Sequence, residues 1–186
     1  MPPEQQRTRR SRIPQAKRRA EVIDAALVEF GKRGFDGTTT SMIAERADIQ
    51  QPYIYALFEN KRHLFLSCQK ALYERMLETF RSAVVETDSP YERLRKMGLS
   101  YMGLLEDEAW VRCHLQVLAA SSHPELQDQI LQGFVETFRA VEEMTGAEAK
   151  EVARFFATGT LLNAMMGMGA PDEMLEHMRI PPENGS

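Results

Sequence analysis

Apolar residues recur along this chain every three or four positions, in stretches separated by short polar breaks. No stretch shows the period-two alternation of a half-buried strand, so the pattern predicts an all-α protein. Val22, Ile23, Ala26, Leu27 and Phe30 mark a first helix from Ala16 to Arg33, with Gly34 as its stop. Ile43, Ala44 and Ala47 mark a short second helix capped by Thr38 or Thr39, and Ile54, Leu57 and Phe58 a third, opened by Gln50-Gln51-Pro52. Behind an Asn60 cap, Leu64, Phe65, Cys68, Leu72, Met76, Leu77 and Phe80 continue one long helix from Lys61 with no breaker before Asp88.

Three later segments have the form of a capping box: Ser89 with Glu92, Ser122 with Glu125, and Thr145 with Glu148. They predict helices near 90–106, 124–144 and 147–169, with a shorter one near 108–120. Residues 171–178 are expected to add a final turn, and 179–186 to form a disordered tail. Leu126, Ile130, Phe134, Phe138 and Val141 lie on one stripe of the 124–144 helix. The last helix is apolar nearly all round between Val152 and Met168, with Ala157, Gly159, Ala164 and Gly167 permitting close approach. A helix with no wet face is buried on several sides, which points to a second subunit.

The stretch from Thr38 to Arg62 has the outline of a helix-turn-helix, with Ala44 and Ala47 small enough for two helices to cross closely. Gln50, Gln51, Tyr53 and Tyr55 face outward on its second helix, offering amides and phenols that can bond to base edges and phosphates. A net charge of −4 argues against nucleic acid until its distribution is considered. Residues 1–62 hold 12 Lys and Arg against 8 Asp and Glu, a balance of +4, which leaves −8 for the remainder. Basic charge is thus segregated to the reader. Residues 1–15 contain Arg7, Arg9, Arg10 and Arg12 and read either as a solubilising tail or as an arm following phosphates or a minor groove.

GFDGTTTSMIAERADIQQPYIYALFENKRHLF resembles the DNA-binding segment of the tetracycline-repressor (TetR) family. The Gly-aromatic-x-x-Thr-Thr entry, Ile43-Ala44, Tyr55, Phe58 and Lys61 stand at the family's spacing. Two departures are Asp48, where the family usually has a turn glycine that Asp can replace in a left-handed conformation, and Gln50 with Pro52 in place of the common serine and glycine. The resemblance implies a homodimer built by the last two long helices, so Phe138, Phe155, Gly159 and Ala164 are expected at the interface.

The chain then divides into a flexible basic arm (1–15), a helix-turn-helix DNA-binding domain (16–62), a helical effector-binding and dimerisation domain (63–178) and the tail. Its expected function is a sequence-specific transcriptional regulator of bacterial type, a repressor released from a near-palindromic operator by a mainly hydrophobic small molecule. Gln50, Gln51 and Tyr53 are expected on bases beside Pro52; Thr39, Tyr55 and Lys61 on phosphates; and Arg10, Arg12 and Lys17 on the backbone around them. Candidate effector contacts are Phe65 and Leu72 on the long helix, then Met97, Tyr101 and Met102. Trp110, His114, Phe134, Leu162 and Met165 complete the set. The alternative is a small-molecule-binding or protein-interaction module whose helix-turn-helix is structural.

Catalysis has no visible machinery: there is no P-loop, dinucleotide fingerprint or nucleophile elbow, and Ser67-Cys68-Gln69-Lys70 sits mid-helix without companion motifs. Cys68 and Cys113 read as buried thiols, and four scattered histidines give no metal-ligand spacing. No cofactor is expected. Without an apolar run of ~20 residues or a signal core, the expected location is the cytoplasm.

Overall fold

A computed structural model describes residues 14–171 and Glu173. Residues 1–13 of the expected arm, with Arg10 and Arg12, most of the expected final turn at 171–178, and the expected tail lie outside the described residues, while Gln15 of that arm already belongs to the first helix. Within them the protein is helical, with α1 (Gln15–Gly37), α2 (Thr40–Arg46), α3 (Gln51–Leu57), α4 (Lys61–Ala83), α5 (Pro90–Leu105), α6 (Glu108–Ala119), α7 (Pro124–Thr145) and α8 (Ala149–Gly167). A 3₁₀ turn, Ala120–Ser122, joins α6 to α7.

The local signals that set these boundaries are visible in the caps. Thr39 accepts from the Met42 amide, Asn60 from His63, and Ser89 and Glu92 form a full capping box. The other two expected boxes do not form. Ser122 donates to the Ala119 carbonyl, and Thr145 donates to Val141 while accepting from the Ala147 amide at 3.2 Å rather than from Glu148, so neither hydroxyl closes its box. α8 consequently starts behind Glu148 rather than Thr145. The helical path of α1 breaks at Gly34, at φ 69° and ψ −176°, as expected, and resumes beyond the kink for three further residues to Gly37. Asp48 takes the left-handed conformation, at φ 50°, in the turn between α2 and α3.

One continuous core runs through the molecule. α1 packs most extensively on α6, and α4 lies along α5 and α7. Phe30 on α1 meets Phe65 on α4 edge to face at 4.9 Å between ring centres, inside a fully dry junction. Each such ring contributes roughly 1.5–3 kcal/mol through burial. α2 leans on α1 and α3 on α2, and Arg19 of α1 reaches the end of α3 through the Leu57 carbonyl.

Candidate functional site

Two features stand out: an exposed face on α3, and an internal cavity beneath α5 and α8.

The α3 face is held by polar ties as much as by packing. Buried Thr40 on α2 receives the Gln51 amide at 2.7 Å and lies 3.0 Å from the Tyr55 hydroxyl, so both α3 residues are oriented from below. Tyr53 is 40% exposed, and Gln50 and Pro52 are also exposed. Among the described residues, the side chains of Gln50 and Tyr53 have no hydrogen-bond partner. Thr39 and Lys17 are exposed as well.

Two basic residues have internal duties instead. Lys61 donates through Nζ to the carbonyls of Phe35 (2.9 Å) and Thr38 (3.3 Å) and sits 4.4 Å above the Phe35 ring, closing the end of α1. Lys61, expected on phosphate, thus directs two of its three ammonium donors to backbone carbonyls of the protein. Arg19, in the basic first turn of α1, donates to the Leu57 carbonyl at 2.5 Å and to Ser67 at 3.2 Å, with its guanidinium over Phe58. It ties α1 to α3 and α4, and nothing in the sequence separates it from the exposed Lys17 two positions earlier. Glu29, only 5% exposed, takes Arg33 and, at 2.5 Å, Arg46 Nε, which fixes α2 to α1.

The cavity has a volume of about 440 Å³, within the range of small-molecule sites. Its floor comes from buried Tyr73, Met76 and Phe80 of α4, Tyr101 of α5, His114 of α6 and Leu162 of α8. Exposed Tyr91 and Leu99 of α5, with Glu151, Arg154 and Thr160 of α8, form the mouth. Tyr101, Met102, His114, Phe134 and Leu162 thus reach the space expected for them. Phe65, Leu72, Met97, Trp110 and Met165 do not line it: they are buried in the surrounding core, where helical spacing alone cannot distinguish a wall from what lies behind it. Tyr73, Phe80 and Arg95 line it without having been singled out by sequence.

The floor is polar but uncharged. The amide of Asn163, 1% exposed, lies 3.2 Å from His114 Nδ1 and 3.5 Å from the Tyr101 hydroxyl. Burial lowers the His114 pKa to about 4 and raises those of Tyr73 and Tyr101 to about 12, so all three are neutral at ordinary pH. The Tyr73 hydroxyl is buried beside Gln69 without hydrogen-bond geometry to it.

α8 presents two different sides. Phe155 and Gly159, both expected at the interface, line the cavity together with Leu162. Ala153, Ala157, Leu161 and Met168 form an exposed stripe about 100° or more away, with half-buried Ala164 among them, and Leu161 is 50% and Met168 76% exposed. On α7, Phe138 is half-buried against Phe156 of α8, 5.3 Å between ring centres, while Leu131 is exposed.

No helix among the described residues is long and apolar enough to cross a membrane, and no cluster of His, Cys, Asp or Glu among them could hold a metal. A short helix pair with an outward second helix, carried on a larger helical unit with a cavity, defines the class of two-part helix-turn-helix proteins. Residues 22–68 match the family described as "Bacterial regulatory proteins, tetR family". Among curated proteins it is 32% identical over 83 residues to the HTH-type transcriptional repressor KstR of Mycolicibacterium smegmatis, covering 45% of this chain and 41% of that one. It is 27% identical over 101 residues to the HTH-type transcriptional activator FasR of the same organism, covering 54% and 46%. The matched stretches span less than half the length of these relatives. In fold it resembles the transcriptional regulator FadR from Bacillus subtilis, solved in complex with stearoyl-CoA (TM-score 0.66, 20% identity, 81% of this chain and 87% of that one). It also resembles a TetR family transcription regulator from Marinobacter aquaeolei (TM-score 0.67, 18% identity, 88% and 91%).

Proposed function

We propose that the protein is a homodimeric, operator-binding transcriptional repressor whose cavity takes a mainly hydrophobic effector that releases it from DNA. The observation that carries this reading is the exposed α3 face, held by Thr40 and Arg19 on a rigid frame inside the family's DNA-binding domain. Gln50, Gln51 and Tyr53 would meet base edges, Pro52 would set the angle of approach, and Thr39 and Tyr55 would touch phosphates. Lys17 and the arm with Arg10 and Arg12 would add salt-dependent affinity.

The apolar stripe on α8, with Leu131 and the region of Phe138 on α7, supports pairing of two copies through these helices. Two readers then face successive major grooves, and half-sites about 34–36 Å apart impose the spacing that effector binding would disturb.

The test is fluorescence anisotropy on DNA from beside the protein's own gene and on a scrambled duplex, each at two salt concentrations. Tight, sequence-dependent binding is expected. Failure to bind either duplex would favour a structural helix-turn-helix.

A further inference from the structure

α5 carries three basic residues, and two are accounted for within the protein. Arg93 donates to the carbonyls of Met144 (3.0 Å) and Glu86 (2.5 Å), and Lys96 pairs with Asp88 at 2.6 Å. Arg95 lies between them in sequence and lines the cavity; it is half-buried, and its Nε is shielded from solvent without a hydrogen-bond partner. Among the described residues no carboxylate pairs with it. Arg154, also on the cavity wall, is already joined to Glu151 at 2.9 Å.

A guanidinium cannot lose its proton, so a half-buried arginine with no carboxylate partner, its Nε alone shielded and its terminal nitrogens open beside an apolar space, is a site for an anion. The floor offers no such partner. Tyr73, Tyr101 and His114 present neutral groups there, and the Tyr73 hydroxyl is 5% exposed at residue level and unpartnered. The rest of the wall is mainly aliphatic and aromatic: Met76, Phe80, Leu94, Met102, Phe155 and Phe156.

We propose that the cavity is built for an anionic amphiphile, its carboxylate or phosphate on Arg95 and its apolar body running inward toward the Tyr73 and Tyr101 hydroxyls. This rests on the reading of the cavity as an effector site and adds the ligand's charge and orientation. Carboxylate and phosphate share the chemistry a guanidinium recognises, a planar or bidentate oxyanion.

The emission of Trp110 provides the readout: it is the single tryptophan of the chain, and it lies 5.0 Å from His114 and 5.7 Å from Tyr101 between ring centres. The full chain is titrated, below micelle-forming concentrations, with octanoate, dodecanoate and hexadecanoate, and with dodecyl phosphate and uncharged dodecanol. At least one carboxylate or the phosphate should bind roughly ten- to a hundredfold more tightly than the alcohol, the value of a charge-assisted hydrogen bond, and the order of carboxylate and phosphate separates the two sources. Arg95→Gln should remove that preference, Arg95→Lys should keep part of it, and Arg93→Gln should leave it intact, each checked for a native melt. Equal binding of dodecanol and the anions, a preference that survives Arg95→Gln, or no binding by any anion would overturn the proposal. The same ligands added to the DNA complex test the regulator separately: anion binding that depends on Arg95 without DNA release would retain this site and refute its effector role.

Discussion

Gly31 of α1 lies directly against the backbone of Cys113 on α6: a Cβ at position 31 would stand 3.1 Å from the Cys113 nitrogen and 3.2 Å from the Arg112 Cβ. The helix that carries the reader and the helix that supplies His114 to the cavity are thus in near backbone contact. Gly31→Ala gains roughly 1 kcal/mol of helix propensity, but the neighbouring atoms belong to a packed helix and cannot move freely. A net loss of about 1–2 kcal/mol is expected, larger for Gly31→Val. Denaturant melts of both variants check it, and a more stable Gly31→Ala would show that α1 and α6 can separate easily.

Lys61→Met should lower stability by about 1–3 kcal/mol, since it leaves the Phe35 and Thr38 carbonyls without their donor, while the salt slope of DNA binding stays unchanged. Lys17→Ala, at an exposed position, should instead reduce that slope by about one contact. Opposite behaviour in the two variants would reassign the phosphate contact to Lys61.

Tyr53→Ala should remove sequence preference while preserving much of the non-specific affinity, if the exposed phenol meets base edges as proposed. The measurement is the ratio of affinities for operator and scrambled DNA. Equal losses on both would place Tyr53 on the backbone.

Asp48→Gly removes a left-handed non-glycine residue, a strain of about 1–2 kcal/mol, against a glycine entropy cost of about 0.5–1 kcal/mol. A small rise in Tm is expected, and Asp48→Val should lower it. If both substitutions lowered Tm, the Asp48 side chain would be contributing more than its backbone strain costs.

His114 is held near pKa 4 by burial, below its ordinary 6.5. The unfolded chain therefore binds the proton first, and stability is lost as pH falls from about 6.5 toward 4, by up to ~3 kcal/mol. His114→Gln should flatten this part of the pH–stability curve relative to the parent. The comparison cancels the carboxylates that titrate nearby, and an unaltered difference between pH 7 and pH 4.5 would mean that His114 is protonated in the folded state.

The elements whose signals are local were the most legible. The 3.6-residue period located all eight described helices, Asn60 and Ser89 marked their caps, and the turn at Asp48 took the conformation expected of it. The expected boxes at Ser122 and Thr145 do not form because a hydroxyl between two helices can turn back to the preceding carbonyls, as both do, and Thr145 meets the Ala147 amide instead of that of Glu148. The same limit applies to charge. Lys17, Arg19 and Lys61 look alike in sequence, yet the partners of Arg19 lie 38 and 48 positions away and those of Lys61 26 and 23. For the cavity, periodicity identified the apolar helices but not which residue of each borders empty space, so Trp110 and Tyr101 were indistinguishable and Arg95 resembled a surface charge.

Gln69, buried in the middle of α4, donates to the Ile130 carbonyl of α7 at 3.0 Å, and only a glycine at position 133 leaves room for its amide. A polar clasp at that point opposes sliding of the two helices past each other and would act as the fulcrum if α4 tilts. Lys61 lies eight residues to one side, about 12 Å along the axis, and Phe80 eleven to the other, about 16 Å. For a rigid α4, a ligand that pushes Phe80 outward therefore swings the reader's end inward by about three-quarters as far, a see-saw whose ratio is set by where one glutamine falls in the helix.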